Sequence, residues 1–241
     1  MTESPDLSGL HILVAGATSQ AGIATAEAFT SAGAHVIAVG SDTGRLQRSL
    51  GHIPSLDMRT CDLTDFHAVQ SLAGDLHADG TRVDGLMHLV GGWRGGTGIA
   101  GQSDEDYEFL HRSVLTTLRN TSRVFVADLA ASARGRLAIV SATAVDAPGA
   151  DSASYAAVKA AAETWVRAVA QEFTGVGTTT GTRAAASILV VKALLDEKMR
   201  AERPDRRFPG YTHVSDLAAT MTGLFAREAG TINGQRLSLA G

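Results

Sequence analysis

The stretch HILVAGATSQAGIA, residues 11–24, places a glycine-containing turn between a short apolar run and a helical pattern. HILVAG (11–16) is predicted as a strand and GIATAEAFTSAG (22–33) as a helix. At such a junction, backbone N–H groups and the positive end of the helix can meet a pyrophosphate. A tight turn that binds nothing would have the same letters. The position between strand and helix, at the start of an alternating chain, favours a phosphate-binding turn.

The same alternation of short apolar runs and longer helical patterns continues along the chain. Further strands are predicted at residues 35–40, 55–63, 84–92, 135–142, 182–191 and 234–239. Helices are predicted near residues 43–51, 65–76, 152–173, 193–201 and 212–226, and a long one from Ser103, an expected N-cap. Strands separated by whole helices imply right-handed crossovers and a parallel sheet covered on both faces. The prediction is an α/β fold: one doubly wound domain over residues 1–241, with a mostly or wholly parallel seven-stranded sheet.

Charge and composition argue against several classes of protein. The net charge is −4, so neither a nucleic acid nor an acidic membrane is expected as the partner. A single cysteine, Cys61, rules out an internal disulfide framework and fits a reducing compartment. The histidines are scattered, so no metal site is expected. Because no signal-peptide pattern and no long apolar run is present, a cytoplasmic protein without a membrane segment is expected.

A second stretch, YAAVK (155–159), lies near the start of the long helix predicted after the fifth strand. Tyr155 and Lys159 are four residues apart and therefore share one face of that helix. They can be an ordinary aromatic residue beside a solvated lysine. They can also be a phenol whose pKa is lowered by a neighbouring ammonium, which would serve as a general acid or base.

Together these stretches resemble the short-chain dehydrogenase/reductase family, and the resemblance extends over essentially the whole chain. That family carries T-G-x-x-x-G-x-G at the first turn and Y-x-x-x-K after the fifth strand. Gly16 and Gly22 match the first and third glycines, while Gln20 stands in place of the second. The resemblance implies a Rossmann domain that binds NAD or NADP and moves hydride between nicotinamide and a carbonyl/alcohol pair. It also implies that Tyr155 exchanges the carbonyl proton, and that Lys159 binds the nicotinamide ribose and lowers the Tyr155 pKa.

The resemblance assigns a set of residues to the cofactor. These are Gly16, Thr18, Ser19, Gln20, Gly22, Ser41, Asp62, Leu63, Gly91, Tyr155 and Lys159. The second strand ends at Gly40 without the acid that binds the adenosine ribose in NAD-dependent members, and Ser41 and Arg45 follow, which favours NADP with NAD as the alternative. Asp62 would contact the adenine amino group, unless it only forms a turn or a helix cap. The family's N-N-A-G after the fourth strand is replaced by HLVG (88–91), where His88 is interpreted as a packed strand residue.

The donor that should accompany the tyrosine is replaced. Family members have a serine at the end of the fifth strand, and that position holds Ala142 here. Ser141 and Thr143 flank it, and neighbouring strand residues point to opposite faces unless a bulge intervenes. Ser141 is therefore proposed as a catalytic donor beside the Tyr–Lys pair, provided that such a bulge turns it inward.

Two further positions depart from the family pattern. The asparagine of the family's proton relay falls near Ser113 or Val114, and the Pro-Gly after the sixth strand is replaced by about Leu189-Val190. The segment 192–212 is predicted to form a substrate lid. Because family members usually assemble through two long helices, the resemblance also implies a homo-oligomer, either a dimer or a tetramer.

Three functions are compatible with these residues. The leading hypothesis is an NAD(P)(H)-dependent oxidoreductase that interconverts a small-molecule carbonyl and an alcohol. The second is a catalytically weakened relative that binds a nucleotide or a partner as a sensor or scaffold. The third is a non-redox enzyme that uses Tyr155 as acid or base.

Overall fold

A computed structural model of the chain describes residues 5–175 and 183–240. Its strands are β1 (His11–Ala15), β2 (His35–Gly40), β3 (Asp57–Thr60), β4 (Gly85–His88), β5 (Arg136–Ala142), β6 (Ala185–Val191), β7 (Leu194–Leu195), β8 (Thr212–His213) and β9 (Arg236–Ser238). Seven of them form one sheet in the order β3-β2-β1-β4-β5-β6-β9, and every neighbouring pair is parallel. The predicted α/β fold with a seven-stranded parallel sheet is confirmed.

Helices cover both faces of the sheet. They are α1 (Gln20–Ser31), α2 (Thr43–Leu50), α3 (Phe66–Ala78), α4 (Asp104–Leu110), α5 (Thr117–Ala131), α6 (Ala153–Gly175), α7 (Glu197–Glu202), α8 (Val214–Gly223) and α9 (Ala229–Ile232). Because alternate strand residues point to opposite faces, Leu13 and Ile37 pack under α3, α5 and α6, whereas Ile12 and Val36 pack under α1 and α8. Strands buried on both sides explain why the apolar runs were continuous.

Side chains cap the helices that follow the strands at the carboxyl edge of the sheet. Ser19, Asp42, Asp65 and Ser103 each accept a hydrogen bond from a backbone N–H in the first turn of α1, α2, α3 and α4. The predicted N-cap at Ser103 is confirmed. These caps fix where each helix begins, and therefore fix the turns between strand and helix where the candidate site lies.

The structure differs from the predicted elements in several places, and one is the fourth strand, predicted over 84–92, which ends at His88. The long helix from Ser103 is interrupted by a π-helical turn over His111–Thr116, between α4 and α5. Two short strands, β7 and β8, pair with each other. β7 lies within the segment 192–212 that was predicted as a lid, and β8 lies at its C-terminal end. The third strand is shorter than predicted because Asp62 forms a turn with Thr64. Thr182, the predicted start of the sixth strand, lies outside the described residues, and so does Gly241.

Within the part of the chain that the structure describes, no helix combines the length and apolar character needed to cross a membrane.

Candidate active site

Two neighbouring cavities lie at the carboxyl ends of the strands, where the strand order reverses between β1 and β4. One, here called the turn cavity, has about 380 Å³ and is lined by residues that follow β1, β2 and β3. The other, here called the tyrosine cavity, has about 310 Å³ and is lined by residues from β4, β5, β6 and α6. Leu89, Val90 and Gly91 line both, so the cavities are adjacent compartments of one cleft. Ligands of open α/β sheets bind at such a reversal point.

The glycine turn after β1 requires both of its matched glycines. Gly16 has a φ of +82°, and a Cβ at that position would lie 2.9 Å from the Val90 nitrogen. A Cβ at Gly22 would collide with the Gly16 carbonyl oxygen and lie 2.7 Å from the Ala17 carbonyl carbon. These glycines therefore let the turn, β4 and the start of α1 approach closely. The turn is closed by Ser19, whose hydroxyl donates to the Gly16 carbonyl (3.0 Å) and accepts from the Gly22 N–H (3.0 Å).

Apart from Tyr155 and Lys159, the residues predicted to hold the cofactor lie in the turn cavity, with two exceptions. The cavity is lined by Gly16, Thr18, Ser19, Ser41, Asp62, Leu63 and Gly91, and also by Arg45, which the sequence comparison mentioned only as a neighbour. Gln20 begins α1 with an exposed side chain and does not line either cavity, and Gly22 is buried beneath the turn. Gln20 at the second glycine position therefore leaves the shape of the turn intact.

Asp62 forms the turn considered for it and also faces the turn cavity. Its Oδ1 accepts from the Thr64 N–H (2.9 Å) and hydroxyl (2.8 Å), and these bonds lower the pKa of the Asp62 carboxyl. The same residue lines the turn cavity. The neighbouring Asp42 is occupied elsewhere, since its Oδ1 accepts from the Arg45 N–H at 2.6 Å.

Tyr155 and Lys159 both line the tyrosine cavity, as their spacing predicts. The Lys159 ammonium lies 5.8 Å from the centre of the Tyr155 ring and donates to the Val140 carbonyl at 2.8 Å. Burial lowers the pKa of Lys159 to about 8, against the opposing effect of Glu163, and burial raises the pKa of the Tyr155 phenol. In this geometry the pKa of the Tyr155 phenol therefore shifts in the direction opposite to the lowering that the resemblance implies.

Ser141 is part of a different interaction from the one proposed for it. Its hydroxyl is fully buried and donates to the Glu163 carboxylate at 2.6 Å. The β5–β6 register is unbroken from Arg136 to Ala142, so β5 runs without the bulge that would turn Ser141 into the site. Although Ser141 contributes to the wall of the tyrosine cavity, its hydroxyl is bound to Glu163 on α6, the helix that also carries Tyr155 and Lys159. This geometry argues against Ser141 as the donor to a substrate oxygen.

Glu163 is the centre of a buried cluster that the sequence comparison missed. Its side chain is 1% exposed and lies one helical turn beyond Lys159. In addition to Ser141, it binds Arg167 (3.0 Å) and lies 2.9 Å from Nε of Arg236 on β9. A glutamate four residues after the lysine, in an otherwise apolar stretch of α6, was the available signal for this cluster.

The positions examined for the family's asparagine carry no side chain that reaches Lys159 by a hydrogen bond. The Ser113 hydroxyl donates to the Phe109 carbonyl (2.7 Å) inside the π-helical turn, and Val114 is a buried apolar residue. His88, interpreted from sequence as a packed strand residue, is indeed buried, but it also lines the tyrosine cavity.

Two further residues at the tyrosine cavity were not predicted as site residues, although Lys192 begins the segment predicted as the lid. Trp93, 64% exposed, follows the glycines after β4, and Lys192 follows β6 and donates to the Pro209 carbonyl at 3.1 Å. The general tendency of ligands to bind beyond the carboxyl ends of parallel strands is the signal that could have identified both. The Lys192–Pro209 bond joins the two ends of the segment 192–212, which β7 and β8 also hold together.

Comparison with known proteins identifies relatives across nearly the full length. A family model for short chain dehydrogenase matches residues 10–186. A protein from Beutenbergia cavernae, classed as an NAD(P)-dependent gluconate 5-dehydrogenase and holding NADP at low occupancy, is 25% identical, with 99% of this chain and 98% of that chain covered and a TM-score of 0.80. A short chain dehydrogenase from Salmonella enterica is 18% identical, with 99% and 98% covered and a TM-score of 0.85.

An NADPH-bound short chain oxidoreductase from Pseudomonas aeruginosa, described as containing an atypical catalytic center, is 20% identical, with 98% and 97% covered and a TM-score of 0.82. The likenesses below 25% identity speak for the fold. The search of curated proteins gives no match. The family model spans well over half of the sequence, and the chain belongs to the short-chain dehydrogenase family.

Proposed function

We propose that this chain is an NADP(H)-dependent oxidoreductase that interconverts a small-molecule carbonyl and an alcohol. The observation that carries the proposal is the shared cleft: Tyr155 and Lys159 line one compartment, and the glycine turn lines the adjacent one. A general acid at one end and a phosphate-binding turn at the other are the two parts that dinucleotide-dependent reduction needs. Relatives with NADP or NADPH bound support the same reading.

The turn cavity fits a dinucleotide in shape and in chemistry. Gly16 brings bare backbone to its wall, where a Cβ would collide with Val90, and the N-terminus of α1 lies behind Ser19. The pyrophosphate would be held at this turn, the adenosine near Asp62 and Leu63, and the nicotinamide beside Gly91 in the direction of the tyrosine cavity. When bound, the nicotinamide supplies or accepts the hydride.

The end of β2 favours NADP over NAD. No acid stands at Gly40 to bind a free ribose hydroxyl, and the carboxylate of Asp42 is engaged as the cap of α2. Arg45 and Ser41, in contrast, are exposed and line the turn cavity. A guanidinium with free donors is suited to a 2′-phosphate.

The proton chemistry is assigned to Tyr155. Because its pKa is raised, the phenol is protonated at neutral pH and can donate a proton to a carbonyl oxygen as hydride arrives at the carbon. Lys159 would then stabilise the phenolate and bind the ribose. With Ala142 at the donor position and Ser141 engaged by Glu163, the oxygen lacks one preorganised donor, which costs roughly 10²–10³ in rate. Slow turnover is therefore part of the proposal.

A test compares the wild type with Tyr155→Phe, using NADPH and NADH against a panel of aldehydes and ketones. We expect substrate-dependent oxidation of NADPH by the wild type and its loss in Tyr155→Phe, with NADPH binding retained in both. Tyr107→Phe, at an exposed tyrosine of α4, is the matched control and should keep the wild-type rate. Failure of both dinucleotides to bind would contradict the proposal.

A second candidate is a dinucleotide-binding protein without turnover, and Ala142 at the donor position is the observation that favours it. It predicts quenching of protein fluorescence by NADPH without oxidation of any carbonyl in the panel. The same experiment therefore separates the two candidates.

The segment 192–212 is proposed as the substrate lid. The tyrosine cavity is lined by the end of β6 and the start of this segment, residues 191–194. The hydrogen bond from Lys192 to the Pro209 carbonyl connects the other end of the segment to the end of β6. Assembly into a dimer or tetramer stays a prediction, to be measured by sedimentation of the purified chain.

A further inference from the structure

His88 is a buried polar group that the proposed chemistry does not yet use. It ends β4 at the cleft, its side chain is 3% exposed, and its Nε2 makes no hydrogen bond to any described residue. The carbonyl oxygens of His88 and Thr117 lie close to the ring. A buried nitrogen without a hydrogen-bond partner destabilises a fold. We therefore expect a second group that supplies a hydrogen bond to Nε2 of His88.

The second group is found across a small cavity beneath the cleft. This cavity has about 10 Å³ and is lined by His88, Val90, Val114, Leu118, Ile139, Val140, Lys159 and Ala162. Only His88 and Lys159 bring polar side chains to it. A space of about 10–15 Å³ is the least that holds one water molecule, so the cavity is suited to a single bridging water.

We propose that the neutral imidazole of His88 is a positioning residue for Lys159, accepting a hydrogen bond from a water molecule that the ammonium binds in turn. The inference rests on the proposed function, since Lys159 is assigned there to the ribose and to Tyr155. His88 thereby takes the place that a side chain of the π-helical turn cannot fill, because the Ser113 hydroxyl is bound to Phe109 and Val114 is apolar.

The donor inventory of the ammonium supports this arrangement. A lysine ammonium has three N–H donors. The Val140 carbonyl takes one at 2.8 Å, the water bound to His88 would take a second, and the third is free to point into the tyrosine cavity, which both residues line. Two acceptors behind the ammonium would fix its direction towards the cofactor and the phenol.

The charges of the two groups are mutually consistent. Burial, followed by the charge of Lys159, lowers the pKa of His88 to about 3, so the ring is neutral and can accept at neutral pH. Unlike a carboxylate, a neutral ring adds an acceptor without placing a second negative charge beside Glu163.

The test uses two replacements that separate positioning from packing. His88→Asn keeps a polar acceptor but loses volume, whereas His88→Leu keeps volume but loses the acceptor. We expect His88→Leu to weaken NADPH binding on the order of tenfold, the value of a hydrogen bond to a charged group, and His88→Asn to recover most of that loss. A purely structural role predicts the reverse order, with leucine better tolerated than asparagine, and that result would overturn the proposal. His67→Leu, at an exposed histidine of α3, is the control.

A second measurement is independent of cofactor binding and turnover. Imidazole ¹⁵N spectra of the cofactor-free chain, assigned through His88→Asn, report whether Nε2 accepts a hydrogen bond. We expect the Nε2 resonance to move towards the position of an unbonded acceptor in Lys159→Met. An unchanged resonance would refute the contact, even if NADPH binds, whereas a shifted resonance without NADPH binding would leave the contact standing and refute the proposed function.

Discussion

Replacing Lys159 by methionine is expected to stabilise the folded chain while removing activity. The ammonium is buried, and burial lowers its pKa to about 8 from 10.5 for an ordinary lysine. That difference corresponds to about 3 kcal/mol of penalty for holding the charge in the folded state. Methionine keeps the length of the side chain but loses the bond to the Val140 carbonyl, which is worth about 2 kcal/mol because its donor is charged. We therefore expect a net gain of about 1 kcal/mol in the free energy of unfolding at neutral pH.

The stability advantage of Lys159→Met should decrease as the pH rises. Because the folded-state pKa of Lys159 is below the unfolded value, the unfolded chain binds more protons between about pH 8 and 10.5. The penalty is thus fully present below about pH 8 and is relieved as the pH rises towards 10.5. The advantage of Lys159→Met over the wild type should fall from about 1 kcal/mol at pH 7 to near zero at pH 10.

Urea unfolding of the cofactor-free chain at these two pH values measures the difference. Comparing variants at the same pH cancels the contributions of other groups, among them Tyr155 and Cys61, whose pKa values are raised by burial. Lys198→Met, at a lysine that is 76% exposed, is the matched control and should show no such pH-dependent gain. A destabilised Lys159→Met, or an equal difference at both pH values, would refute the reasoning and would mean that the ammonium is well satisfied where it lies.

Three further predictions concern the cleft. Gly22→Ala should destabilise the chain by about 1–3 kcal/mol and weaken NADPH binding, because its Cβ would meet backbone atoms of Gly16 and Ala17. Thermal unfolding measures the first effect and fluorescence titration the second. The control Gly74→Ala in α3, where a Cβ meets nothing within 4 Å, should not destabilise the chain. Arg45→Ala should raise the Kd of NADPH by roughly tenfold or more and leave NADH nearly unchanged, and an equal effect on both would contradict the NADP preference. Ala142→Ser should raise kcat on the order of tenfold or more if the donor position is vacant; an unchanged kcat in a folded variant would show that another group serves the oxygen.

The fold could be predicted from sequence because its signals are local and repeated. Short apolar runs identified the seven main strands, and residues such as Asp65 and Ser103 marked the first turn of a helix. The π-helical turn over His111–Thr116 could not be predicted in this way. There the Ser113 and Thr117 hydroxyls bind carbonyl groups four residues earlier, and serine or threonine in a helix makes such bonds with or without a π turn.

The candidate site was predictable to the extent that its parts lie in one stretch of sequence. Gly16, Gly22, Tyr155 and Lys159 have fixed spacings, and the cleft brings the turn and the pair together. The hydrogen bond between Ser141 and Glu163, in contrast, could not be predicted from spacing. Strand alternation correctly puts Ser141 and Ala142 on opposite faces, but no spacing rule says that Glu163, from another element, faces the serine across the layer.

Lys159 links these observations, because its state depends on groups from three elements. Glu163, on the same helix, raises the Lys159 pKa, but this carboxylate is shared with Ser141, Arg167 and Arg236, and its negative charge is largely compensated. The compensation explains why burial prevails and the pKa falls to about 8. The acceptor that holds the ammonium in place is a neutral one, the Val140 carbonyl. Ser141, Glu163 and His88 therefore bear on one quantity, the charge and direction of the Lys159 ammonium, on which the proposed activity of Tyr155 would depend.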